Sequence, residues 1–190
     1  MRQLGPQHIV QALASVDMSD SASATSRVIS LKYYEHVAIV LNFGVTAADL
    51  DGVINFYACT DVSGSNAHCI DTVTFRRAVT AMATSSDLAT DTWSTLRTIT
   101  GSDLHVSDMA DSDALNPNDS DAGNICNGIV VIEFDAADIY NANTSDNYIR
   151  DCLKFTFTNS GNKKGLLGAV YLLGSGSRIA REIPLTAIAN

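Results

Sequence analysis

Between Thr98 and Ile149 the sequence has no lysine and no arginine, yet Asp103, Asp108, Asp111, Asp113, Asp119, Asp121, Glu133, Asp135, Asp138 and Asp146 all fall inside that window. From Arg150 onward the balance reverses, with Arg150, Lys154, Lys163, Lys164, Arg178 and Arg181 against only Asp151 and Glu182. The net charge of -9 disfavours DNA, RNA and anionic membranes, because phosphate binding draws its affinity from Lys and Arg releasing counterions. No apolar run approaches the ~20 residues of a membrane helix, so no membrane partner is expected. Gln7, His8 and Gln11 interrupt the apolar core that a secretory leader would need, and no export signal is read there.

Zinc spacing is also missing. Cys59, Cys69, Cys126 and Cys152 match no metal pattern, and nothing marks an oxidising compartment, so reduced and partly buried thiols are expected. The Asn-x-Ser triplets at Asn118 and Asn143 then mark polar loops only. There is no P-loop, no dinucleotide fingerprint and no serine-hydrolase elbow, and the GSGSR stretch at Gly174 and Gly176 reads as a turn. Charged residues make up only 17% of the chain while 46% is hydrophobic, which excludes general disorder and suggests that a partner covers some apolar surface.

The pattern that is present has a period of two. In CLKFTFT, Leu153, Phe155 and Phe157 share one face and Cys152, Lys154, Thr156 and Thr158 the other. DTVTFRRAVTAMA puts Val73, Phe75 and Val79 opposite Thr72, Thr74, Arg76 and Thr80, so of the neighbours Arg76 and Arg77 one must face the core, a rim or another chain. GVINFYAC alternates, whereas HVAIVLNF, GIVVIEF and LLGAVYLL are nearly continuous apolar runs expected of strands covered on both faces. With SRVISLK and WSTLRTIT these make about eight strands. The fold class is therefore all-β, a two-sheet antiparallel sandwich of jelly-roll or immunoglobulin-like type. HIVQALASV reads either as two helical turns with Ile9, Val10, Leu13 and Val16 as apolar face, or as an extended arm; AADIY makes one turn capped by Asp135. The expected organisation is an arm and linker over 1–24, a sandwich over 25–177 and an extension over 178–190, with a long acidic loop from Gly101 to Asn127.

No catalytic, cofactor-binding or metal residue is assigned. Asn116, Asn118, Ser120 and Gly123 imitate part of a calcium loop, but no closing Glu and no flanking helices accompany them, which favours a solvated acidic loop. His68 and Cys69 are sequence neighbours, an arrangement that turns a nucleophile and its base apart. His36 beside Glu35 reads as a hydrogen-bonded structural imidazole. Tyr33, Tyr34, Tyr57, Trp93 and Tyr140 offer rings for a sugar face, with filling of the core and sheet edges as the other reading.

One segment carries a resemblance. SRVISLKYYEHVAIVLNFG, through Val28, Ser30, Leu31, Lys32, Tyr34, His36 and Val37, with support around Trp93 and Val170, resembles small virion structural proteins of tailed bacteriophages. The resemblance runs from about residue 12 and implies a non-enzymatic decoration or cement protein on the capsid exterior, made in the host cytoplasm. Its implied partners are the major capsid protein and further copies of itself, as a homotrimer, with no cofactor. The acidic 101–124 insertion and the 178–190 extension depart from that group and leave open a place in the neck or tail. A carbohydrate- or receptor-binding module on the same sandwich is the alternative from another class.

Overall fold

The computed structural model describes residues 8–18, 23–44, 52–79, 97–101, 104–105, 128–140, 142, 145–159 and 165–174. Two antiparallel sheets pack face to face. The first has the order β1 (His8–Asp17), β12 (Leu166–Gly174), β4 (His36–Phe43), β10 (Gly128–Asp135), β7 (Thr72–Val79) and β8 (Arg97–Thr100). The second runs β2 (Ser23–Thr25), β11 (Cys152–Asn159), β5 (Gly52–Cys59) and β6 (His68–Cys69); β3 (Ile29–Ser30) also pairs with β11 and β9 (Leu104–His105) with β5. Strands distant in sequence lie side by side because the chain crosses between sheets from β1 to β2, from β4 to β5 and from β10 to β11, as in Greek-key sandwiches.

Alternation accounts for the layering. Leu153, Phe155 and Phe157 are all fully buried, as are Ile54 and Phe56 on β5 and Ile39, Leu41 and Phe43 on β4, and together they fill the space between the sheets. The apolar runs are not covered equally on both faces: Val40 is half-buried and Asn42 exposed between the buried Leu41 and Phe43. Gly52 is required where β5 meets β11, since a side chain there would collide with the Thr158 carbonyl and the Phe157 ring. The single helical turn α1 (Ala136–Tyr140) follows β10 as expected, with the Asp138 carboxylate accepting from the Asp135 backbone N–H at 3.1 Å, while the Asp135 carboxylate itself turns to His36.

The amino-terminal region differs from expectation. His8–Asp17 is neither helix nor free arm but the edge strand β1, paired along β12 from His8 opposite Leu173 to Asp17 opposite Leu166. Register shifts between Gln11 and Leu13 and between Leu13 and Val16 insert extra residues, so the apolar positions repeat at mixed spacings that imitate a helical stripe. Val10 and Ala12 are buried, and Ser23–Thr25 of the expected linker pairs with β11. The sandwich therefore begins by His8 rather than at residue 25.

One polar link crosses the interior. The Tyr171 ring, fully buried from β12, meets Phe155 edge-on at 6.3 Å, and its hydroxyl lies 2.8 Å from Ser26 Oγ and donates to the Arg27 carbonyl at 3.1 Å. Ser26 Oγ in turn accepts the Phe155 backbone N–H at 2.8 Å. Burial pushes the Tyr171 phenol well above its usual range, so it stays a neutral donor. Tyr171→Phe is expected to cost about 1 kcal/mol, and Ser26→Ala about 2 kcal/mol because it strands the buried Phe155 N–H; urea unfolding checks the order. Deleting residues 1–17 is expected to lower the thermal midpoint and expose the β12 edge, read by melting and by solubility.

Candidate interaction surface

Where β4 begins and β10 ends, register places His36 opposite Asp135 and Ala38 opposite Glu133. His36 Nδ1 lies 3.1 Å from Asp135 Oδ1 and its Nε2 3.8 Å from Glu133 Oε1, so the imidazole is held by two carboxylates across the strand pair; Glu35 contributes only its carbonyl, to the Ala136 N–H at 2.9 Å. Beside them a cleft of about 420 Å³ opens between β7, β10 and α1, lined by Asp71, Thr72, Thr74, Glu133, Phe134 and Asp138. Its charged groups are all carboxylates. Such a cleft accepts ammonium or guanidinium donors and offers no nucleophile paired with a base. Among the described residues no three His, Cys, Asp or Glu side chains are grouped to hold a metal ion.

The first sheet also presents an apolar row outward. Val170, Val40 and Val131 are successive cross-strand partners, each partly exposed, and the row ends in Gln11 on β1 and Arg76 on β7. Ile9 on β1 is 64% exposed and Ile129 on β10 is 40% exposed. An antiparallel sheet facing only water usually alternates to polar residues at such positions, and three valines in register depart from that alternation. Among the described residues β1 pairs with β12 alone. Arg76 faces outward and is exposed; Arg77 stands opposite Val130, and its side chain lies outside the described residues.

On the second sheet the same end of the sandwich is closed by Arg150, just ahead of β11. Its guanidinium forms a two-pronged pair with Asp146 at 2.8 and 2.6 Å, and Nε donates to the Asn66 carbonyl at 3.1 Å. Only 2% of Arg150 is exposed, so this base joins the acidic window to the basic segment within one chain. Asn66, in the left-handed region at φ 47°, ends a loop organised by Asp61, whose carboxylate accepts from the N–H groups of Ser63 and Ser65 at 2.8 and 3.2 Å. The Ser65 hydroxyl first, then these N–H groups, hold the Asp61 carboxyl below its usual range. Lys154 sits 5.7 Å above the Tyr57 ring.

The sequence candidates scatter. Strand alternation on β6 turns His68 and Cys69 to opposite faces, with Ala58 and Tyr57 as their respective partners. Tyr33 and Tyr34 lie between β3 and β4, Tyr57 on the outward side of β5 and Tyr140 on α1; Tyr33 has the Lys32 ammonium over its ring at 5.7 Å, and Tyr34 Oη bonds His8 Nδ1 at 2.8 Å. Asn116, Asn118, Ser120, Gly123, Cys126, Asn143, Trp93, Gly176 and the 178–190 extension lie outside the described residues. Sequence reasoning missed the Arg150 pair, for which the spacing of four from Asp146 was the only signal.

The Arg150 hydrogen bonds draw the Asp146 carboxyl down to about 2. A carboxyl lowered on folding stabilises above its unfolded value of about 4 and loses that contribution as pH falls through the folded value. Asp146→Asn is therefore expected to lower the melting temperature at pH 7, and the gap from the parent chain should close between about pH 4 and pH 2.

No family model matches the sequence, and no curated protein matches it. Among solved structures, a mutant VP2 protein of infectious bursal disease virus is similar at 9% identity and a TM-score of 0.25, over 97% of this chain and 43% of that one. The T13 infectious bursal disease virus particle gives 9% identity and 0.24, over 97% and 42%. The Gx strain of the same virus gives 9% and 0.23, over 97% and 45%. The chain thus spans less than half the length of these weakly similar viral capsid structures.

Proposed function

We propose that this chain is a non-enzymatic virion structural protein that binds the outside of a phage capsid as a cement or decoration protein. Its partners are the major capsid protein and two further copies of itself, in a homotrimer placed where capsid subunits meet. The observation that carries the proposal is the outward valine row of the first sheet, Val170, Val40 and Val131, bordered by the exposed Ile9 and Ile129. Apolar contact of that kind supplies affinity, while the carboxylate cleft at Asp71, Glu133 and Asp138 sets which basic surface is accepted and in what orientation. Among the described residues β1 pairs with β12 alone, and its second side would add backbone donors and acceptors that a neighbouring chain can complete. Mechanically, a clamp spanning several subunits lowers the free energy of the closed shell, since separation must first break its interfaces. The resemblance of the Val28–Val37 segment to phage virion proteins supports the same assignment.

Purified chain should bind empty capsids with saturable stoichiometry and show no affinity for glycans. Ile9→Asp with Ile129→Asp is expected to weaken attachment by about tenfold or more at unchanged melting temperature, measured by co-sedimentation. Self-association should weaken as salt rises, because exposed charge pairs are screened. A lone monomer that binds sugars would establish the receptor-module alternative, and recovery only with neck or tail fractions of disrupted particles would move the protein within the virion.

A further inference from the structure

Cys59 on β5 and Cys152 on β11 stand directly opposite each other in the central strand pair of the second sheet. Register is unbroken from Val53 opposite Thr158 to this pair, so both side chains leave the same face, the one opposite to Ala58 and Leu153. That face points away from the core: both thiols are buried, at 0% and 1% exposure, yet neither belongs to the hydrophobic cluster between the sheets. Each is parked on a nearby oxygen, Cys59 Sγ donating to the Tyr57 carbonyl at 3.8 Å and Cys152 Sγ to Asp151 Oδ1 at 3.2 Å. Directly opposed residues of antiparallel strands have Cα atoms about 4.5 or about 5.5 Å apart. Both separations fall inside the span of about 4.4 to 6.8 Å that a disulfide bridges, so a rotation about χ1 of each residue brings the sulfurs together without moving the backbone.

We infer that Cys59 and Cys152 form a latent cross-strand dithiol that takes a disulfide after folding, by exchange with a small-molecule disulfide such as oxidised glutathione. The Cys59 thiolate attacks one sulfur of the oxidant and expels one glutathione thiolate, giving a mixed disulfide. The Cys152 thiolate then attacks Cys59 Sγ and expels the second, so two protein thiols lose two electrons and two protons while one oxidised glutathione becomes two reduced molecules. Burial pushes the Cys59 thiol up, so exchange waits on a local opening that admits the oxidant; Cys59 attacks first because the Lys154 and Arg150 cations offset part of that rise, as no cation does at Cys152. Burial, with Asp151 alongside, pushes Cys152 up to about 12, which makes it the resolving thiol and keeps the pair reduced under brief exposure. The finished bond ties β5 to β11 and closes the whole span from β6 to α1 into a covalent loop, restricting the unfolded chain far more than the folded one.

The test uses the full chain under native conditions. It is held in oxidised glutathione at pH 8, trapped by alkylation and mapped by mass spectrometry without reduction. The expected result is a Cys59–Cys152 linked peptide, two fewer free thiols and a melting temperature higher by about 10 °C, reversed by dithiothreitol. Cys152→Ser should instead accumulate glutathione on Cys59 with no such rise. An unchanged thiol count after prolonged exposure, linkage through Cys69 or Cys126, or a bond that forms only in denaturant would overturn the inference.

Discussion

The structure depends on side chains of alternating polarity being shared between two sheets, so that neither sheet has a dry face without the other. Phe56 shows what this demands: its ring meets Phe155 at 6.0 Å within the second sheet and Phe134 of the first at 5.3 Å. Such rings fill the interlayer space only if the strands hold register, since a slip of one residue would turn every Phe outward. Tyr171 adds direction to an otherwise apolar contact. Its hydroxyl must find Ser26 and the Arg27 carbonyl, which fixes where β12 lies over the connection from β2 to β3.

The first strand follows from the same constraint. Without β1, the β12 edge beside Val10 and Ala12 would be open along most of its length, and the interlayer would lose two buried side chains. The chain satisfies this with a sequence that is poorly periodic, using two register irregularities to bring Val10, Ala12 and Met18 inward. Bulges of this kind increase local twist, which keeps a long edge strand from presenting a flat template to unwanted neighbours. The close approach of Gly168 to Ser15 belongs to the same irregular stretch.

Much of the layering was legible in the sequence because period two is a local property. Leu153, Phe155 and Phe157 declare their face without reference to anything else, and the eight expected strands correspond in number to the eight of four residues or more among the described residues, with β1 in the place given to SRVISLK. HIVQALASV was illegible for a physical reason: bulges break the period that would reveal a strand, and the deciding partner, Leu166–Gly174, comes more than a hundred residues later. Candidate site features behaved likewise. A carboxylate cleft assembled from Asp71, Glu133 and Asp138, or two cysteines brought opposite by the pairing of β5 with β11, is a product of register between distant strands. Composition announced the acidic excess but not its placement.

Charge segregation along the chain consequently divides into two physical roles. Arg150 takes Asp146 as an internal partner, and a nearly enclosed guanidinium with three hydrogen bonds is spent on closing one end of the sandwich. Removing Asp146 would leave the Arg150 guanidinium charged with little water around it, so the pair acts as structure. At the same end, on the first sheet, Glu133 and Asp135 retain 48% and 72% exposure of their side chains and share one His36 between them. Exposed carboxylates in excess of their cations repel one another, and the repulsion is relieved when a basic surface arrives. The buried base and the water-facing acids lie at the same end of the sandwich, and because Asp146 takes up the Arg150 charge, the acids of the first sheet keep theirs toward solvent, the property on which the proposed basic partner would rely.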